Sequence, residues 1–257
     1  MNNQQILIAL YTIVRREIRR FTRIWAQTLL PPAITMSLYF IIFGTLIGSR
    51  IGEMGGFTYM QFIMPGLIMM SVITNSYSNV VSSFYSAKFQ RSVEEMLVSP
   101  MPNWVILTGY IMGGMARGLI VGFIVTLLSL FFTDLEVHNL AIVIGVTLLT
   151  SILFATGGFI NAMLANSFDD ISIVPIFVLT PLTYLGGVFY SISLLPDFWQ
   201  GVSQLNPILY MVSTFRYGIL GSSDINIYVA IGVILAFVVS LFYVALTMLN
   251  KGKGIRS

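Results

Sequence analysis

Acid–base, nucleophilic and metal chemistry draw on histidine, cysteine or paired carboxylates, and this sequence is poor in all three. It has no cysteine and a single histidine, His138. Disulfides, thiolate metal sites and cysteine nucleophiles are excluded, and a histidine triad has no material. Asp134, Glu136 and His138 form the one grouping whose types hint at a metal, and the same residues suit a solvated hairpin. Asp169 and Asp170 adjoin in "NSFDDIS", where either suits the cap of a following helix. No glycine-rich stretch ends in Lys-Ser or Lys-Thr, so ATP cannot be held by a phosphate loop. No metal and no cofactor is expected.

The elements that carry these residues are apolar. Of 257 residues, 56% are hydrophobic and 9% charged, and mean hydropathy is +0.88. Soluble domains carry about 25% charged residues, so most of this surface must face lipid. The formal charge is +3, but the basic residues sit in clusters between apolar runs. That is a membrane-topology pattern, and nucleic acid is not an expected partner. The first twenty residues place their charges after the apolar stretch, unlike a signal peptide.

The expected fold is all-α integral membrane, one domain over residues 1–257. A span needs about 20 apolar residues. Six runs qualify: Trp25–Ile47, Gln61–Phe84, Met112–Phe132, Asn139–Ala165, Ile171–Tyr190 and Asn226–Leu249. "WVILTGYIMGGMARG" blurs the entry to the third and suits a separate interfacial helix. With the N-terminus inside, eleven of the thirteen Lys and Arg fall on inner segments, leaving only Arg50 and Arg216 outside. Both termini are therefore expected in the cytoplasm. All ten acidic residues, Glu17 to Asp224, fall outside the six runs. A proton-coupled carrier has no carboxylate relay here.

Residues 1–24 read as an amphipathic helix. Leu7, Leu10, Val14, Ile18, Phe21 and Trp25 form one stripe and Arg15, Arg19 and Arg23, with Arg16 and Arg20, the other. Such a helix lies in the interface with its basic stems toward lipid phosphates. A second short helix is expected in "KFQRSVEEMLVSPMP". Phe89, Val93, Met96 and Leu97 share a face, while Arg91, Glu94 and Glu95 occupy the rest, and Pro100 and Pro102 stop it. It suits a helix resting on headgroups or a contact passing motion from a cytosolic engine. Gly109 and Gly113, then Gly114, Gly118 and Gly122, recur every four residues, a spacing that lets helices approach closely. Arg117 beside them reads as an interfacial snorkeller.

Between Tyr184 and Gly218 the chain is too apolar for a loop and too broken for a span. Leu179, Leu182, Leu185, Gly186, Val188, Leu195-Pro196, Pro207-Ile208, Tyr210 and Arg216 fit the signature of ABC-2 type transporter permeases, and the chain resembles that family throughout. The resemblance implies a bacterial inner-membrane permease that works as a homodimer with two copies of a separate ATPase, exporting a substrate the sequence does not name. It also implies that Leu194–Val202 and Ile208–Leu220 are short re-entrant helices. They would cap the outer end of the path through Gly186, Pro196, Pro207, Tyr210 and Arg216. Arg216 would bond free helix carbonyls, or Asp197 or Asp224, or else meet an anionic substrate. An ATP-independent carrier or channel, an intramembrane hydrolase and a membrane anchor for an ATPase are the other classes.

Overall fold

The computed structural model describes residues 2–134 and 136–254. Helix α1 (Asn3–Arg23) opens on a capping box, Asn2 accepting from Asn3 N–H at 2.7 Å while Gln5 accepts from Asn2 N–H at 2.9 Å. The first apolar stretch, Trp25–Ile51, is built of α2 (Trp25–Thr28), α3 (Leu30–Tyr39), a π-helical segment (Phe40–Ile47) and α4 (Gly48–Ile51). A two-stranded hairpin follows, β1 (Glu53–Met54) antiparallel to β2 (Phe57–Thr58). Gly55 and Gly56 turn it, with φ of 63° and 83°.

Helix α5 (Tyr59–Phe89) starts on a Thr58/Gln61 capping box and is buried over most of its length. A break at Gln90-Arg91 leads to α6 (Ser92–Val98), and Pro102 introduces α7 (Asn103–Ser129). Helix α8 (Leu140–Leu164) is capped by Asn139. The next apolar stretch joins α9 (Asp170–Val174), a second π segment (Pro175–Leu179) and α10 (Thr180–Leu185). After a 3-10 turn (Ile192–Leu194) come α11 (Asp197–Gln204) and α12 (Pro207–Leu220), then α13 (Ile227–Asn250).

Among the described residues, four helices are long and apolar enough to cross a membrane: Trp25–Ile51, Asn103–Ser129, Leu140–Leu164 and Ile227–Asn250. Two of the six expected spans differ in kind. Helix α5 is the longest, but Ser71, Asn75, Ser76, Asn79 and Ser83 make it more polar, and it buries them against its neighbours. Asp170–Leu185 is apolar but short, about 24 Å at 1.5 Å per residue. It ends five residues before the expected Tyr190, because Gly187 turns the chain at φ 72°.

Glycine contacts order the bundle. A Cβ on Gly109 would fall 2.9 Å from Ile13 Cβ, and one on Gly113 would overlap Glu17. This pair therefore admits α1. Gly114, Gly118 and Gly122 instead admit α5 through Val80, Ser76 and Val72. The single helix Asn103–Ser129 corrects the separate interfacial helix expected before Met112. Its glycines lie against neighbouring helices, so packing holds the helix straight through them. In the core, Phe84 lies tilted against Phe159 at 4.1 Å and meets Tyr110 edge-on at 5.1 Å.

Candidate functional site: the two ends of the bundle

At one end, α6 hangs between the rods α5 and α7. The sequence expected Phe89 to share its helix with Val93, Met96 and Leu97. The structure corrects this: Phe89 is the last residue of α5, and Arg91, at φ 60°, breaks the helix. A left-handed, non-glycine residue turns the chain enough to fold α6 back onto the bundle. Val93 is fully buried, and Met96 and Leu97 pack half-buried against the core. Glu94, Glu95 and Arg91 are left outside with Val98, which is 88% exposed, and Phe89, 66% exposed.

The turn after α8 joins this surface. Phe168, half exposed, packs edge-on to Tyr85 at 4.8 Å and lies 5.2 Å from Phe89. Lys88 Nζ donates to the carbonyls of Met163 (2.8 Å) and Ala165 (2.6 Å), closing the last turn of α8. Burial pushes the Lys88 ammonium below its ordinary value, against a smaller opposing pull from Asp170. Asp170 accepts from Asn166 N–H at 2.8 Å and Ser167 N–H at 3.2 Å. The Asn166 bond, then the Ser167 hydroxyl, hold its carboxyl below the usual carboxylate range. Asp170, rather than Asp169, orders this turn.

Helix α1 packs one side onto the bundle, against α7. Its buried residues are Ile13, Glu17 and Phe21, while Leu7, Ile8, Tyr11 and Trp25 are exposed. Two of its arginines reach polar atoms of the bundle. Arg16 donates to Tyr110 Oη at 2.7 Å, and Arg20 donates to the Asn79 carbonyl at 2.8 Å and its Oδ1 at 2.9 Å. Glu17, 1% exposed, lies 3.3 Å from Arg16 and 3.5 Å from Arg20. A buried carboxylate needs such charges around it. Arg117 is likewise turned inward, corrected from a snorkeller, donating to Asn75 Oδ1 at 3.1 Å and Thr28 O at 3.3 Å. The sequence did not pick out Glu17, although an acid with an arginine one position before it and another three positions after it was the available signal.

At the far end lies the chain between Gly186 and Leu220. Pro196 precedes α11 as its N-cap and Pro207 opens α12, with Asn206 accepting from Ile208 N–H at 3.0 Å. Gly186 meets Ile208, and Tyr210 Oη donates to Gln204 O at 2.7 Å. Arg216 is 2% exposed. Its Nη2 donates to Gly187 O at 2.6 Å and its Nε to Phe62 O at 3.3 Å. Its guanidinium stacks 3.9 Å over the Phe62 ring. Nη1 sits 3.6 Å from Asp224 Oδ2, an ion pair longer than a hydrogen bond. The acid that meets Arg216 is thus Asp224 and not Asp197.

Asp134, Glu136 and His138 line a cavity of about 410 Å³ with Phe57, Gln61 and Leu220. Among the described residues, no three His, Cys, Asp or Glu could hold a metal ion together.

A bundle of apolar helices with a short helix slung between two of them is the frame of a helical membrane protein. The family model for ABC-2 type transporters matches residues 8–220, and the chain belongs to that family. It is 59% identical over 250 residues to the inner membrane transport permease YadH of Escherichia coli (strain K12), covering 97% of this chain and 98% of the relative. It is 23% identical over 238 residues to nodulation protein J of Neorhizobium galegae, covering 92% and 91%.

Proposed function

We propose that the chain is the permease half of an ATP-driven exporter in a bacterial inner membrane, with both termini cytoplasmic. Two copies form the path, and two copies of a separate ATPase grip their cytoplasmic faces. Six crossings fit this reading if α5 crosses inside the bundle and Asp170–Leu185 crosses beside it. The observation that carries the reading is the mounting of α6. Its apolar face is fixed in the core through Val93, so a push on Glu94, Glu95 and Val98 reaches α5 and α7 directly. Phe89, Arg91 and Phe168 extend the same contact surface. The permeases then rock between inward-open and outward-open states, and ATP shifts the balance.

The test is reconstitution. The chain and an ATPase encoded beside it should co-purify, and proteoliposomes should move cargo only with ATP. Reversing charge at Glu94 and Glu95 together should uncouple transport while leaving the permease folded. Uphill transport by the chain alone would instead identify an ATP-independent carrier.

A further inference from the structure

The last helix ends in a cleft of its own. Helix α13 has 24 residues, about 36 Å at 1.5 Å per residue, against about 30 Å for a hydrocarbon core. Its final turn therefore stands at a headgroup layer. There Tyr243, Val244, Thr247, Met248, Lys251 and Lys253 line a cavity of about 150 Å³, none of them acidic. Leu235, Val239, Tyr243, Thr247 and Lys251 are spaced four apart and so form one row down the helix. Leu235, Val239 and Tyr243 are exposed, and an open apolar lane thus runs down to the two lysines.

The fold holds both lysines there. Gly252, at φ 64°, reverses the chain after the helix. Lys253 N–H then donates to Met248 O and Gly252 N–H to Leu249 O, both at 3.1 Å, the paired bonds of a glycine turn that ends a helix. Gly254 packs so closely on the end of α8 that a Cβ there would overlap Met163 O. Lys253 is folded back beside Lys251 instead of trailing into water. The backbone turn already satisfies the last carbonyls, so the ammonium groups are not needed as caps. Among the described residues the ion pairs belong to Arg16, Arg20 and Arg216, and neither lysine shares one.

Two uncompensated positive charges at the foot of an apolar lane match a molecule with a negative head and a hydrocarbon tail. From Val239 to Lys251 the row runs about 18 Å, close to the ~15 Å depth of half a hydrocarbon core. A free anion would use the lysines alone, and a neutral lipid the lane alone. We propose that this cleft is a binding site for an anionic phospholipid, its phosphate between Lys251 and Lys253 and an acyl chain along Tyr243, Val239 and Leu235. It does not depend on the chain being an ATP-driven exporter, because binding is read on the isolated permease.

Native mass spectrometry of the purified permease, titrated in detergent with phosphatidylglycerol or with phosphatidylethanolamine of the same chains, reads the affinity of the first bound lipid. Phosphatidylglycerol should bind about fivefold tighter or more, and excess inorganic phosphate should not displace it. Lys251→Gln and Lys253→Gln should each weaken the first phosphatidylglycerol about fivefold and leave phosphatidylethanolamine unchanged. Gly252→Ala keeps both lysines but strains the turn at positive φ, and it should weaken phosphatidylglycerol several-fold. Arg15→Gln together with Arg19→Gln removes more charge from exposed positions on α1 and should leave the first lipid bound as before. Equal affinity for the two lipids would overturn the proposal. So would displacement by inorganic phosphate, or a loss at Arg15 and Arg19 matching that at the lysines.

Discussion

Arg216 bonds two carbonyls that lie 29 and 154 positions away in sequence, so its removal is felt in two elements at once. Arg216→Ala removes a charge-assisted bond to each carbonyl, at about 1.5–3 kcal/mol apiece. The midpoint of denaturant unfolding in detergent should report a loss of about 3 kcal/mol or more. Asp224→Ala should cost under about 1 kcal/mol, because its side chain is 27% exposed and the pair is long. Equal losses for the two would contradict the asymmetry. The sequence showed that an arginine in an apolar cap must find oxygen acceptors. It did not show which, because partners at such separations are chosen by helix packing. Arg20 and Arg117 mark the same limit: both look like headgroup ligands, and both find amide oxygens inside, on Asn79 and Asn75.

Among the elements, α6 and α1 both joined the bundle more tightly than their amphipathic patterns foretold. For α6 the apolar stripe was legible, and so was its end at Pro100 and Pro102. The break at Arg91 was not, because nothing in the side chain of arginine favours a positive φ. Left-handed backbone costs an L-residue about 1–2 kcal/mol, which glycine avoids. Arg91→Gly should therefore raise the unfolding midpoint of the isolated permease by about 0.5–1 kcal/mol, part of the gain going to glycine's unfolded-state freedom. If Arg91 is kept for the ATPase, the same variant should lower ATP-driven transport. For α1, the glycines were legible as a close-approach surface but not the helix they receive. Gly113→Leu should force α1 off α7, an overpacking cost of about 1–3 kcal/mol. Trypsin should then cut at Arg15, Arg19 and Arg23 several-fold faster. Gly145→Leu, with nothing within 4 Å of its Cβ, is the control and should leave cleavage unchanged.

Across the whole molecule, α5 and the helices around it form the buried body, whereas Trp25–Ile51 and Asp170–Leu185 stay at its edge. Ile34, Leu38, Ile41 and Ile42 on the first, and Ile173, Ile176 and Phe177 on the second, are exposed. Exposure to lipid alone says little, since α13 also shows Val239 and Tyr243. The distinction is backbone: both π segments, Phe40–Ile47 and Pro175–Leu179, fall in these two edge stretches. A π turn is poorer than an α turn and persists mostly where function requires it. Tyr39, Phe43, Tyr184 and Phe189 also tie the two stretches together, with Phe43 and Phe189 rings 5.0 Å apart. In the proposed dimer, this pair of linked helices on one edge is the part of the body suited to meet the second copy. In membranes, Phe177→Cys should form a disulfide-linked pair under mild oxidation, at twice the 28.6 kDa of one chain. Tyr243→Cys, equally exposed but on α13, should remain single. Crosslinking at Tyr243 with none at Phe177 would move the proposed dimer axis to α13 and leave the π segments without a part in it.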